Sequence, residues 1–147
     1  MIAEPQQDTL NILLADDDTD DCHFFEKVLK EIPIATRLTT FQDGEQLMNF
    51  LSLNSECLPD ILFLDLAMPR KNGFECLVEI HRHNKLKGLP VFVFTVSFRN
   101  NMNFESNIEA MLQEMGAYGY IRKNSDFSQL KVVLHNALMS VAKKMYS

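Results

Sequence analysis

Hydrophobic positions along the chain alternate between two patterns, short unbroken apolar runs and longer stretches with helical spacing. The runs are Leu10 to Ala15, Ile61 to Leu64 and Val91 to Phe94, and each meets a polar residue at its C-terminal end: Asp16, Asp65 and Thr95. A continuous apolar run of this length reads as a strand buried on both faces. A fourth segment, 34–41, is rich in β-branched residues but more polar, which predicts a strand near a sheet edge. A fifth, Tyr118 to Arg122, is short and ends in Lys123. Between the runs, Phe25, Val28, Leu29 and Ile32 are spaced i, i+3, i+4, i+7 and predict a helix whose stripe faces the core. Thr19 or Asp20 can cap it, acids suit its first turn, and Pro33 ends it. Leu47, Phe50 and Leu51 mark a second helix after the Asp43-Gly44 turn. Cys76, Leu77 and Ile80 mark a third, over about 73–83. After a polar loop at 99–103, Phe104, Ile108, Met111, Leu112 and Met115 predict a fourth helix, stopped at Gly116-Ala117. Phe127, Leu130, Leu134, Leu138 and Val141 predict a fifth, near 127–145, with Lys143 and Lys144 suited to its C-terminus.

Five strands alternating with five helices make an α/β chain with right-handed crossovers and a parallel sheet covered on both faces. The doubly wound, flavodoxin-like order 2-1-3-4-5 puts strands one and three side by side at the switch point, where such sheets bind ligands.

At 147 residues the chain fits one domain, and 46 % hydrophobic content is that of a folded globular protein. We read residues 1–9 as a short polar leader and 10–147 as the domain, with no length left for an output domain. A net charge of −6 gives no reason to expect nucleic acid or an anionic membrane as partner. No stretch approaches a membrane span and the N-terminus lacks signal-peptide features, so a cytoplasmic location is expected. Cys22, Cys57 and Cys76 show no CxxC spacing and read as buried reduced thiols. His81 and His83 are two apart on a helix and share no face, which argues against a histidine metal site.

The candidate chemistry lies at the strand ends. An isolated Asp65 would do no more than cap a turn. On a 2-1-3-4-5 sheet, however, Asp16, Asp17, Asp65, Thr95 and Lys123 all emerge at one edge. Crowded carboxylates require protons or a cation among them, and oxygen ligands suit Mg²⁺. A carboxylate nucleophile, a metal, a hydroxyl donor and a lysine are together the groups that phosphoryl transfer uses. Other acidic motifs fit less well. A haloacid-dehalogenase-type phosphatase needs Thr or Val where Asp20 stands, and an EF-hand loop would need Gly at Asp21 and Glu at Lys27. A flavodoxin would want hydroxyls and amides after strand one, where this chain has carboxylates.

Four segments carry a resemblance: Ile-Leu-Leu-Ala-Asp-Asp-Asp (12–18), Asp-Leu-Ala-Met-Pro-Arg-Lys-Asn-Gly (65–73), Pro-Val-Phe-Val-Phe-Thr (90–95) and Gly-Ala-Tyr-Gly-Tyr-Ile-Arg-Lys (116–123). In that order they resemble the receiver domain of two-component response regulators, over roughly residues 10–142. The resemblance implies that Asp65 is the phosphoacceptor, served by a sensor histidine kinase or a histidine phosphotransfer protein. It implies Mg²⁺ on Asp17, Asp65 and the Ala67 carbonyl, with Asp16 acting largely through water. Thr95 and Lys123 would hold the phosphoryl group, and Tyr120 would be the switch aromatic. Asp18, by analogy with acids in helix first turns, reads as a helix-leader charge rather than a ligand. A single-domain regulator is then expected, signalling to a downstream protein target through the face built on helix four, strand five and helix five, with a homodimer through that face also in view. It would not be an enzyme beyond promoting its own phosphorylation and dephosphorylation. A degenerate receiver acting only as a binding module is the rival reading, against which the intact acidic set argues. Departures from the family pattern are Asn124 in place of proline, where a trans peptide is expected, and the bulkier Val96. Ala67 and Ser97 stand where the family tunes phosphate lifetime. The long segment between Thr95 and Gly116, with Pro-Arg-Lys-Asn-Gly, resembles stand-alone receivers that serve phytochrome-type and hybrid kinases.

Overall fold

The computed structural model describes residues 9–96, 102–123 and 126–146. Its elements run β1 (Leu10–Ala15), α1 (Thr19–Lys30), β2 (Thr36–Phe41), α2 (Gly44–Leu53), β3 (Ile61–Leu64), α3 (Gly73–Arg82), β4 (Val91–Thr95), α4 (Met102–Glu114), β5 (Gly119–Arg122) and α5 (Phe127–Tyr146). The strands form one parallel sheet in the order β2-β1-β3-β4-β5, as the alternation predicts.

The unbroken apolar runs have their explanation in the two cores. Side chains alternate across the sheet, and both faces are covered. Ile12, Leu14, Ile61, Phe63 and Phe94 pack beneath α1 and α5, against Phe25, Leu130 and Leu134. Leu13, Leu62, Leu64, Val91 and Val93 pack on the opposite face, against Leu47, Leu77, Ile80 and Leu112 of α2, α3 and α4. All four β3 residues are buried, whereas β2, at the edge, is half exposed.

Local chemistry sets where the helices begin. Asp18, not Thr19 or Asp20, caps α1, accepting hydrogen bonds from the N–H groups of Asp20 and Asp21. The correction follows from reach: a cap must stand outside the helix in extended backbone, and Asp18 is the residue that does (φ −91°, ψ 110°). Asp43 caps α2 through the Gln46 N–H. Asn72 and Glu75 form a reciprocal capping box on α3.

Two expectations are corrected by burial. Met111 of the α4 stripe is 39 % exposed, because Leu112 beside it takes the core position. Cys57 is exposed, Cys22 half-buried and Cys76 buried, all three as free thiols. The leader up to residue 8, the loop at 99–101, Ser97, Asn124 and the Phe104 side chain lie outside the described residues.

Candidate functional site

Sheet hydrogen bonding carries on one residue past the strands and brings the polar groups to a common level. The Asp16 N–H donates to the Phe41 carbonyl (2.8 Å), Asp65 N–H to the Ala15 carbonyl (2.9 Å), and Lys123 N–H to the Thr95 carbonyl (2.8 Å). Asp16, Asp65 and Thr95 are all buried, at 0, 3 and 3 % exposure. Asp17 projects outward and is exposed. Carboxylate oxygens of Asp16, Asp17 and Asp65 lie within 4.8 Å of one another.

Lys123 reaches into this group. Its Nζ lies 2.7 Å from Asp16 Oδ2, 3.0 Å from Asp65 Oδ2 and 2.9 Å from Asp21 Oδ2. Burial drives the Asp16 carboxyl up to about 6, only partly offset by Lys123 and by the Asp18 N–H that donates to Asp16 Oδ1. For Lys123, burial pulls the ammonium down, but its three carboxylate partners outweigh that and hold it above its ordinary value. An all-oxygen donor set with one lysine against several acids is still short of positive charge, and that fits a hard divalent cation.

The loop after β3 is held from behind. Gly73 N–H donates to the Leu66 carbonyl (2.9 Å) and Gly44 N–H to the Lys71 carbonyl (3.1 Å), tying the loop to the start of α2. Arg70 adopts φ 69°, a left-handed conformation uncommon for a side-chain-bearing residue, and its Nε lies 3.6 Å from the buried Asp43 carboxylate. Ala67 is exposed at the mouth of the site, and its N–H lies 3.4 Å from Asp65 Oδ1. Val96 is 58 % exposed, so its bulk points to solvent. Tyr120 sits on β5, partly buried, its hydroxyl withdrawn from solvent. It lines a cavity of about 180 Å³ with Leu112, Gln113 and Ala117.

A family model for the response regulator receiver domain matches residues 12–135. The chain belongs to that family. Response regulator Rcp1 of Synechocystis sp. is 38 % identical over 90 residues, which are 58 % of this receiver and 61 % of that protein. The nitrate/nitrite response regulator protein NarL of Escherichia coli is 32 % identical over 131 residues, 89 % of this receiver and 56 % of that protein. The receiver therefore spans about three-fifths of the length of these curated relatives. Among solved structures, the Mn²⁺-bound form of Rcp1 superposes with a TM-score of 0.71 at 29 % identity, covering 86 % of this receiver and 90 % of that chain. The phosphorylated cyanobacterial phytochrome response regulator RcpA gives 0.73 at 27 %, covering 88 and 91 %.

Six of the seven residues singled out in the sequence lie at or beside the acidic edge: Asp16, Asp17, Asp65, Ala67, Thr95 and Lys123. Tyr120 stands apart, on the α4 side of β5. Sequence reasoning missed Asp21. It read as one more acid in a helix's first turn, and nothing in the spacing announces its contact with Lys123.

Proposed function

We propose that this receiver accepts a phosphoryl group on Asp65 from the phosphohistidine of a sensor histidine kinase or histidine phosphotransfer protein. The observation that carries the reading is the buried Asp65 carboxylate, with Lys123 Nζ at 3.0 Å and the Asp16 and Asp17 oxygens gathered beside it. An Asp65 oxygen attacks phosphorus as the P–N bond breaks, and the imidazole leaves with the electron pair. Asp17, Asp65 and the Ala67 carbonyl would hold Mg²⁺, with Asp16 acting through water. The bound ion would neutralise charge on the phosphoryl oxygens. Lys123 pairs with one of those oxygens and the Thr95 hydroxyl donates to another. Chemistry ends at this residue's own phosphorylation and dephosphorylation, so the chain is a signalling protein rather than an enzyme acting on other substrates.

The output in this reading is a changed surface. Tyr120 follows Thr95 when the hydroxyl moves toward the phosphoryl group, and the face built on α4, β5 and α5 then meets a downstream protein. That face carries an apolar groove lined by Phe92, Tyr118, Val133 and Ala137. Direct DNA binding is not part of the reading, and a homodimer through the same face is compatible with it. Service to a histidine kinase goes with a cytoplasmic location, and no described helix is long and apolar enough to cross a membrane.

The test is intact mass after treatment with acetyl phosphate and Mg²⁺, beside Asp65→Asn and an EDTA-treated sample. One phosphoryl adduct that requires both Asp65 and the metal supports the reading. A folded protein that gains no adduct under any condition overturns it in favour of a binding module.

A further inference from the structure

The run 16–21 places five carboxylates in six residues, and the structure gives them different work. Asp16 and Asp17 belong to the group that can hold a cation. Asp18 caps α1. Asp20 is exposed, and Asp21 places its Oδ2 2.9 Å from Lys123 Nζ. An ammonium has three hydrogens to donate, and in the resting site Lys123 faces three carboxylates, those of Asp16, Asp65 and Asp21. Two of these also belong to the cation-holding group; Asp21 does not. Its position is fixed independently, because its own N–H donates to the capping carboxylate of Asp18 at 3.1 Å.

A divalent cation held by Asp65, with Asp16 reached through water, competes with Lys123 for two of its three carboxylate partners, and it repels the ammonium. We propose that Asp21 is a positioning residue for Lys123, holding the ammonium beside Asp65 while the cation engages Asp65 directly and Asp16 through water. The proposal rests on the metal-assisted reading of the site. It makes Asp21 the partner that Lys123 keeps throughout, as the other two contacts pass to the cation and the phosphoryl group. Without Asp21 the ammonium has, among the described residues, only the carboxylates of Asp16 and Asp65 to pair with, so cation entry becomes harder.

The decisive experiment is calorimetric titration of the full chain with Mg²⁺, comparing Asp21→Asn with Asp20→Asn and repeating Asp21→Asn in a Lys123→Met background. Asp20→Asn removes the same formal charge from the same helical turn without touching Lys123. Asp21→Asn is expected to weaken Mg²⁺ about tenfold, the size of one lost charge-assisted hydrogen bond. Asp20→Asn is expected to weaken it less than about twofold, the range of a screened surface charge. With Lys123→Met the Asp21→Asn effect should shrink to the Asp20→Asn level. Equal losses in Asp21→Asn and Asp20→Asn, or an undiminished loss in the Lys123→Met background, overturn the proposal. A wild-type chain that binds no Mg²⁺ instead removes the metal-assisted reading, and the proposal with it. Should Lys123→Met fail to fold, nitrogen-15 NMR of the metal-free protein still decides. Asp21→Asn must speed hydrogen exchange of the Lys123 ammonium where Asp20→Asn does not, and unchanged exchange overturns the proposal.

Discussion

Gly73 is the position where one methyl group tests the link between packing and chemistry most directly. It opens α3 and is buried against the residue we assign as phosphoacceptor. A Cβ built there stands 2.2 Å from the Asp65 carbonyl oxygen and 2.7 Å from Leu66 Cα. Both obstacles are backbone, so no rotamer change relieves the clash, and the chain carrying Asp65 must retreat by roughly an ångström. Overfilling of this kind costs about 1–3 kcal/mol. Replacing glycine by alanine inside a helix returns at most about 1 kcal/mol, and less in the first turn. We expect Gly73→Ala to lose about 2 kcal/mol, which lowers the urea midpoint by about 1 M at an m-value of about 2 kcal/mol/M. Displacement of Asp65 by that distance should also slow phosphorylation by acetyl phosphate about a hundredfold, because in-line transfer depends on close alignment. Gly88 is the control: a Cβ there meets nothing within 4 Å, so Gly88→Ala should be neutral or stabilising by up to about 1 kcal/mol. A Gly73→Ala protein that unfolds at the wild-type midpoint and phosphorylates at the wild-type rate would refute the reasoning.

The other expectations concern charge, core and thiols. With the Asp16 carboxyl raised from 3.8 to about 6 in the folded protein, the native state binds more protons than the unfolded state across that window. Metal-free stability should therefore be greatest below pH 3.8 as far as this group is concerned, and be lost as pH rises through about 6. Scanning fluorimetry at neutral pH should accordingly find metal-free Asp16→Asn more stable than wild type, and an unchanged or lower Tm would contradict the assignment. Protons and cation compete for this carboxylate, so apparent Mg²⁺ affinity should fall by up to about tenfold per pH unit in the acid range. Phe25 is fully buried, with its ring centroid 5.0 Å from Phe63 and 5.4 Å from Phe94. Phe25→Ala should cost about 3–5 kcal/mol in urea unfolding, and a loss under about 1 kcal/mol would mean that the core collapses into the gap. Burial raises the thiol of Cys22 to about 11 and that of Cys76 to about 12, whereas Cys57 is exposed. Disulfide-exchange reagents should thus modify Cys57 quickly in the native protein and the other two only on unfolding, and fast labelling at Cys76 would contradict the packing.

Where burial is two-sided the sequence states the fold plainly. Ile61 to Leu64 has no polar interruption because both faces of β3 are covered, and every one of these residues is fully buried. Chain order then places the strand ends, and with them Asp16, Asp65, Thr95 and Lys123, at one edge of the sheet. Local geometry is harder to read. Consecutive acids at 16–18 and 20–21 all suit a helix N-terminus, and only backbone conformation selects Asp18 as the cap. The α4 stripe offers more apolar positions than one helix face can bury, which leaves Met111 at the surface. In the sequence Gly44 reads as part of a turn and Gly73 as the start of a helix, yet their real constraint is a backbone pressed against each of them from another part of the chain. Such contacts depend on how loops pack, and periodicity carries no record of that.

Asp21 marks the same boundary inside the site itself. Any first-turn acid lowers the energy of its helix, so that role is sufficient to explain Asp21 until the Lys123 ammonium is seen beside it. Its presence also bears on the charge balance of the acidic edge. One ammonium faces Asp16, Asp21 and Asp65 at hydrogen-bonding distance, with Asp17 nearby, so negative charge remains in excess in a largely buried setting. The upward displacement of Asp16 comes chiefly from its burial, with the neighbouring Asp65 charge adding to it, and the Lys123 ammonium offsets only part of the rise. A site left short of positive charge costs the resting fold some stability and in return attracts a divalent ion. Asparagine at position 16 should therefore make the metal-free protein more stable and the receiver less able to bind the ion, both from the loss of one buried charge.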